Sequence, residues 1–470
     1  MRGCRGCAHY ASVCIAPLGI LSACVLQTSA VRPTLIDAPQ PPMTVSLPPL
    51  SALDDSASAL AELNPLPRLL MGPGPINADP RVLRAMSAQL LGQFDPQFRR
   101  MMRETMLLYR RVFETRNDWT FIVDGTARSG IETVMASVVE PSDRVLVCSF
   151  GRFGQLKSEI ARRAGADLKV IEAPWGTVFA PEQIEAAVKA FSPKLVALCQ
   201  GDTSTTMLQP LAEIGKICHR YGALLQVDAT ASIAGAPLPV DAWEIDAVTA
   251  GLQKCLAGPS GAAPVTLSDA MARVIYRRRH IEEGVRPANY TPGAGPVISS
   301  NYFDLTMVMD YWSDAALNHH TEATTMLYGA RECARIFVQE GHAAVFKRHA
   351  DASRAMVAGL TGMGLKVYGD VANKMPNVTG VYVPDGINGD RVRNALLQDF
   401  NIEIGTSFGP LAGKIWRIGT MGYNARQDCV LSTLGALDAV LAAEGHRFTR
   451  GAGVDAAYQA YWQVRSDAGG

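Results

Sequence analysis

From about residue 70 onward, short and fully apolar runs alternate with longer stretches whose apolar residues recur at helical spacing. Phe121 to Val123 predicts a strand and Arg128 to Val139 a helix. Arg144 to Cys148 predicts the next strand, and Phe153 to Ala164 the next helix. The alternation continues through Leu168 to Ile171 (strand), Pro181 to Ala190 (helix), Leu195 to Cys199 (strand), Leu211 to Tyr221 (helix) and Ala223 to Val227 (strand). A further apolar run, Ala247 to Ala250, has the same strand-like character. These runs are apolar on both faces, as a sheet covered by helices on both sides requires. Strand and helix in strict alternation imply right-handed crossovers and a mostly parallel sheet. The fold class expected is therefore α/β.

A long helical stretch from Tyr302 to Gln339 closes this part of the chain. Beyond it, strand-like runs (Leu365 to Tyr368, Val378 to Val383, Ile402 to Ile404) mix with a helix over Arg391 to Phe400, which predicts a smaller α+β domain. The expected division is a leader and linker over 1–65, a large cofactor-binding domain over 66–335, a small C-terminal domain over 336–450 and a tail over 451–470. The first 65 residues follow a different pattern. Arg2 and Arg5 precede a short apolar stretch, Ser12 to Leu26, broken by Pro17 and Gly19. That stretch resembles a secretory signal, and Leu21-Ser22-Ala23-Cys24 resembles a lipoprotein processing box. The competing and favoured reading is an upstream start codon or a dispensable leader, with Met43 as a plausible alternative start. The Pro/Ser/Ala-rich run from Pro39 to Pro67 is expected to be poorly ordered.

Composition narrows the function classes. Of 470 residues 48 % are hydrophobic, enough for a large core, and Lys+Arg and Asp+Glu stand at 44 each, so the formal net charge is zero. Nothing here calls for nucleic acid. Past the leader no apolar run is long enough to span a membrane, and the expected location is cytoplasmic. Four of the ten cysteines fall in the first 24 residues. Others, such as Cys148 and Cys199, lie inside apolar runs and read as small buried hydrophobes of a reducing compartment. Cys4-x-x-Cys7 stands alone, no zinc-type spacing occurs, and no metal is expected.

The candidate chemistry centres on Lys254, in Gly251 to Gly261, and Asp228, 26 positions earlier in Leu-Gln-Val-Asp-Ala-Thr. Each follows a predicted strand, and strand ends are where ligands bind in α/β sheets. A lysine able to form a Schiff base and an acid able to hold a pyridine nitrogen protonated are together what pyridoxal chemistry needs. Taken singly, the acid reads as a helix cap and the lysine as a solvated cation. Gly125-Thr126-Ala127-Arg128 is a small-residue turn from strand to helix, and the free N–H groups of a helix start hold phosphate well. The Gly-x-Gly-x-x-Gly dinucleotide fingerprint is absent. Arg417 interrupts the apolar run Ile415 to Ile418, and its planar fork suits a carboxylate, either a substrate's or a structural partner's.

Together with Leu70-Met71-Gly72-Pro73-Gly74-Pro75, Leu208-Gln209-Pro210, His319-His320-Thr321 and Trp416-Arg417-Ile418-Gly419, these motifs resemble the class V, fold-type I pyridoxal-phosphate aminotransferases of the alanine–glyoxylate and serine–glyoxylate kind. The resemblance runs from about Leu70 to Glu444 and is strongest to the branch that acts on (S)-ureidoglycine and glyoxylate. It implies pyridoxal 5′-phosphate as cofactor, with Lys254 as the Schiff-base lysine and Asp228 on the ring nitrogen. Thr126, Ala127, Arg128 and Gln253 would carry the phosphate. Phe153 would stack on the ring face, where many relatives have Trp, and Thr203 would bond the phenolic oxygen. Thr321 would reach the phosphate from a second subunit, which implies a homodimer with shared active sites. Arg417 would hold the substrate carboxylate. Gln93 and Asn318 stand where alanine–glyoxylate enzymes carry a small residue and a tyrosine. Two side-chain amides can both donate to and accept from a ureido group. A small aliphatic donor would leave them unpaired. The implied reaction moves an amino group from ureidoglycine to glyoxylate in purine breakdown, leaving oxalurate and glycine.

The alternatives are alanine or serine as donor, a cysteine desulfurase, and a non-catalytic pyridoxal-binding or surface-anchored protein. A desulfurase needs a mobile catalytic cysteine late in the chain, and Cys429 has a helical context instead. A sensor of this fold would carry a DNA-binding helical module, which the N-terminal region lacks. His319 and His320, as neighbours on a predicted helix, would point apart and not form a metal pair.

Overall fold

A run apolar on both faces has to be buried on both, and the longest such runs form the middle of one sheet. The computed structural model describes residues 61–468, with side chains to 463. The leader features (Cys4, Cys7, Cys14, Cys24, Met43) lie outside the described residues. Seven strands build the large sheet: β1 (Trp119–Asp124), β2 (Arg144–Ser149), β3 (Asp167–Glu172), β4 (Leu195–Cys199), β5 (Leu224–Asp228), β6 (Ala247–Thr249) and β7 (Ala262–Leu267). Their order is β1-β7-β6-β5-β4-β2-β3. The five strands from β6 to β3 pair in parallel, and β7 runs antiparallel to both of its neighbours. β4 is buried along its whole length, whereas β3 at the edge is only partly covered.

Helices Ala127–Val138 and Arg152–Arg163 pack on this sheet, each entered directly from the C-terminal end of a strand. The mostly parallel α/β expectation holds, and most element ends fall within a residue or two of their predicted places. Three differences have physical causes. β7 was not foreseen because Pro264 sits at its centre, and proline normally marks an edge or no strand at all. Here Pro264 gives only its carbonyl, which accepts from Ala250 N–H at 2.9 Å. The stretch 302–339 is two helices, Leu305–Trp312 and Thr324–Glu340, separated by eleven irregular residues. His319 and His320 therefore lie in a loop, not on a helix, and the argument that they point apart fails. Leu365 to Tyr368 makes only an isolated bridge, Val367 to Val381.

A second core forms around β8 (Val378–Tyr382), β9 (Gly405–Thr406) and β10 (Ile415–Gly419), an antiparallel sheet in the order β8-β10-β9. Helices His342–Gly362, Gly389–Phe400 and Gln427–Ala443 supply most of the rest of that core. Leu69–Leu70 pairs in parallel with Ile402–Glu403, and Met71 belongs to this second core. The chain thus touches the C-terminal sheet before it enters the large one. Residues Ala452–Ala468, expected as a tail, form a helix packed on His342–Gly362. Leu66–Gly470 is one compact unit. No described helix is long and apolar enough to cross a membrane. Cys148, Cys199, Cys218, Cys255, Cys333 and Cys429 are all free thiols and buried, as expected.

Candidate active site

Parallel strands deliver their C-terminal ends, and the loops that follow, to one edge of the sheet. There a cavity of about 190 Å³ is lined by Thr126, Ala127, Arg128, Phe153, Thr203, Asp228, Gln253 and Lys254, with Ile131, Leu156, Gly201, Thr230 and Ala231 completing its wall. Eight of the residues singled out in the sequence therefore meet at one place.

Asp228 is the last residue of β5 and is 4 % exposed. Its Oδ1 accepts from Thr230 N–H at 2.9 Å, and Cys199 Sγ lies 3.8 Å from Oδ2. Lys254 follows β6 and is buried, with its Nζ donating to the Pro73 carbonyl. The entry motif thus supplies the lysine's resting partner. Burial, followed by the nearby Arg417 cation, pushes the Lys254 amine down to about 8. Gly74, at φ 103°, is required here. A Cβ on it would lie 2.4 Å from Lys254 Nζ.

Helix Ala127–Val138 starts from Thr126, whose side chain makes no capping bond. Ser129 N–H donates to the Thr126 carbonyl at 2.7 Å, and among the described residues the N–H groups of Ala127 and Arg128 are left for a ligand, at the positive end of the helix. Gln253 Oε1 and Thr230 Oγ1 are buried beside it without hydrogen-bond partners among the described residues. Phe153 is fixed by Asp202, the neighbour of Thr203, which no sequence motif singles out. Asp202 is fully buried, and its Oδ2 accepts from Phe153 N–H at 3.0 Å while its Oδ1 accepts from Ser204 Oγ at 2.6 Å. Burial pushes the Asp202 carboxyl above its ordinary range, against these hydrogen bonds. Gly151 makes room for it, since a Cβ there would lie 2.5 Å from the carboxylate.

Arg417 sits in β10 and is 5 % exposed. It donates through Nη1 to the Thr203 carbonyl (2.8 Å) and through Nε to the Thr406 carbonyl (2.6 Å). Its guanidinium lies 4.9 Å from the Phe408 ring, and Arg152 lies 5.2 Å from the same ring. Among the described residues Arg417 has no ion pair, and burial pushes it down to about 10. A buried guanidinium held by carbonyls and lacking a carboxylate is built to receive one. Thr203 lines the cavity and accepts from Arg417, so the carboxylate position lies next to it.

Gln93, Asn318 and Thr321 are not in the wall of this cavity. Gln93 and Asn318 do meet each other: Gln93 Nε2 donates to Asn318 Oδ1 at 2.9 Å across 225 residues of sequence, in an exposed setting. Gln93 Oε1 also lies 3.4 Å from the N–H of Glu322, next to Thr321. Asn318 and Thr321 are exposed and Gln93 is half-buried.

A strand-end lysine and acid, an open helix start and an unpaired arginine define the site of a group-transfer enzyme of the fold-type I class. The family model of class-V aminotransferases matches residues 83–425, and the chain belongs to that family. It is 49 % identical over 396 residues to the (S)-ureidoglycine–glyoxylate transaminase of Bacillus subtilis, an alignment covering 84 % of this chain and 95 % of the relative. The crystal structure of the ureidoglycine–glyoxylate aminotransferase from the same organism superposes with a TM-score of 0.81, covering 86 % of this chain and all of the other. The alanine–glyoxylate aminotransferase of Drosophila melanogaster is 34 % identical over 375 residues, covering 78 % of this chain and 91 % of the relative.

Proposed function

We propose that this chain is a pyridoxal-phosphate-dependent aminotransferase that moves the amino group of (S)-ureidoglycine to glyoxylate, forming oxalurate and glycine. The observation that carries the reading is the convergence of Lys254, Asp228 and the open helix start on one cavity, with the carboxylate-free Arg417 beside it. The cavity fits the cofactor: the Thr230 hydroxyl, without a partner among the described residues, the amide N–H groups that Gln253 can turn inward, and the free N–H groups of Ala127 and Arg128 suit a phosphate. When bound, pyridoxal phosphate supplies an aldehyde carbon that carries the amino group and a ring that accepts the electrons of a Cα–H bond.

The protein's own groups do the rest. Thr126, Ala127, Arg128 and Gln253 hold the phosphate, and Phe153 covers the ring. Asp228, a buried carboxylate, stabilises a proton on the pyridine nitrogen. Thr203 positions the phenolic oxygen. Arg417 grips the carboxylate of the donor and then of glyoxylate, so both substrates present Cα at the same point. Lys254 Nζ, with its depressed basicity, takes the Cα proton from the donor and in the second half returns one to the Cα of the new glycine. The bonded amides Gln93 and Asn318, together with Thr321, are offered to the site of a second subunit. There Thr321 reaches the phosphate and the amides recognise the ureido group. This makes the working unit a homodimer.

Mixing the purified enzyme with ureidoglycine, alanine or serine, one at a time, and following loss of the cofactor's visible band tests the reading. Ureidoglycine is expected to bleach it with the largest specificity constant. A preference for alanine or serine would replace the donor assignment and leave the glyoxylate aminotransferase reading in place.

A further inference from the structure

Strand β1 ends on Asp124, one residue before the Gly125 to Arg128 turn, and the loop between Trp312 and Thr324 runs past that end. Three side chains meet there. Ligand-type atoms of Asp124, His320 and Glu322 all lie within 4.8 Å of one another. His320 Nε2 is 3.1 Å from Asp124 Oδ2 and 3.9 Å from Glu322 Oε2. Glu322 is 4 % exposed, and neither of its carboxyl oxygens has a hydrogen-bond partner among the described residues. Burying an acid with both oxygens unsatisfied is costly, so this arrangement calls for something that satisfies them.

The imidazole hydrogens sharpen the point. His319 Nε2 lies 3.3 Å from the Asn301 carbonyl, which can only accept, so that nitrogen carries a hydrogen. With His319 uncharged, its Nδ1 is an acceptor, and it lies 2.7 Å from His320 Nδ1. His320 then donates through Nδ1, and in its uncharged form its Nε2 presents a lone pair to two carboxyl groups. Two carboxyl groups facing that nitrogen need a positive charge between them, a metal ion or a proton on Nε2, and the test below separates the two. A histidine that donates one ring nitrogen outward and turns the other, bare, toward carboxylates has the habit of a metal ligand with its supporting shell.

We propose that Asp124, His320 and Glu322 form a binding site for a divalent cation of the zinc type, with His319 orienting His320. One imidazole and two carboxylates suit zinc, and three protein ligands leave a position for water. Ligand atoms about 2.0–2.2 Å from such an ion stand roughly 3–4 Å from each other, as His320 Nε2 does from each of the two carboxyl groups, and all three ligand atoms lie within 4.8 Å of one another. Asp124 Oδ2 also accepts from Ala323 N–H at 3.1 Å, so the ion would complete a clamp already begun by the backbone. The consequence is positional. The loop carrying Asn318 and Thr321 is fastened to the strand end that opens the phosphate turn, with no part in the proton transfers at Lys254.

The test uses the full-length holoenzyme, dialysed against a chelator and titrated calorimetrically with zinc chloride. Wild type is compared with Glu322→Gln and His320→Gln. Wild type is expected to bind one more equivalent per chain than either variant, because cysteines and other histidines are common to all three. One equivalent of zinc should raise the melting temperature of wild type and leave that of Glu322→Gln unchanged. Cobalt(II) in place of zinc gives a check that needs no variant: the nitrogen–oxygen donor set yields weak d–d bands without a sulfur-to-cobalt charge-transfer band. Equal stoichiometry in wild type and Glu322→Gln, or cobalt uptake wholly of the thiolate kind, would overturn the proposal. The cluster would then be a doubly protonated His320 between two acids.

Discussion

Arg417→Gln separates a substrate clamp from a structural arginine. The guanidinium is buried, held by the Thr203 and Thr406 carbonyls, and unpaired with any carboxylate among the described residues. Asp202 acts on it only from a distance, so a substrate carboxylate would be the one charge partner in direct contact. Two charge-assisted hydrogen bonds of about 1.5–3 kcal/mol each give about 3–6 kcal/mol of binding to the transition state. That corresponds to roughly a 10²- to 10⁴-fold fall in kcat/KM. Both substrates carry the carboxylate, so the fall should be similar for ureidoglycine and for glyoxylate. Stability should change less. Two carbonyls lose a donor, at about 1–3 kcal/mol each, but a buried charge is also removed, and the two effects oppose. Single-turnover absorbance changes with each substrate give the two constants, and thermal unfolding gives the stability. The reasoning is refuted if kcat/KM stays within about threefold of wild type for both substrates, or if activity falls only in proportion to the protein lost to unfolding.

Lys254→Ala should abolish transamination, and borohydride reduction of the wild type should tag Lys254 in peptide mapping; a tag on another lysine would move the assignment. Stripped enzyme should capture pyridoxal phosphate faster as pH rises, with the rate levelling off above about 8, because the Lys254 amine loses its proton there and not near 10.5. By linkage, the unfolded lysine still binds a proton between those pH values, so this group adds stability to the stripped protein as pH rises from about 8 to 10.5; Lys254→Met should flatten that rise in a denaturation series. Asp228→Asn should fold, since the amide oxygen can still accept from Thr230 N–H, yet lose most turnover; near-normal activity would mark Asp228 as a cap. Asn318→Tyr should lower the ureidoglycine-to-alanine ratio of specificity constants by roughly two- to tenfold or more, the worth of about 0.5–1.5 kcal/mol for one amide partner plus the ring's bulk; an unchanged ratio removes Asn318 from donor recognition.

The large sheet was readable because burial on both faces leaves a dense apolar signature. β2 carries it from Val145 to Cys148 and β4 along its whole length, β5 is broken only by Gln226, and the predicted ends of all three are off by a residue at most. Signals failed where a residue's usual meaning was overridden by context. Pro264 lies in the centre of β7 because the antiparallel pairing there asks it for a carbonyl and no N–H. The break between Trp312 and Thr324 lies within residues of ordinary helical composition. What ends the first helix is local: Ser313 Oγ accepts from Ala315 N–H and turns the chain out of the helix. The role of Leu69 to Met71 in the C-terminal core could not be read at all, since parallel pairing across more than 300 residues leaves no local mark.

The site divides along the same line. Residues placed by a single strand-to-turn unit, such as Thr126 to Arg128, Asp228 and Lys254, stand in the cavity wall where the motifs implied. Their geometry is local, so the spacing encodes it. Residues whose role depends on distant partners were legible only by type. The sequence shows Arg417 as an arginine in an apolar strand, and only the fold shows that it lacks a carboxylate among the described residues. Asp202 was invisible as the anchor of Phe153, because that bond joins elements 49 residues apart. Gln93 and Asn318 were chosen as two amides, and their hydrogen bond to each other is information only the fold supplies. Asp124 and His320 are separated by 196 residues, which no metal-motif spacing covers. Adjacent histidines diverge on a helix, but in this loop His319 and His320 meet. Convergent clusters of this kind have to be sought in the folded chain, wherever a buried acid stands unsatisfied.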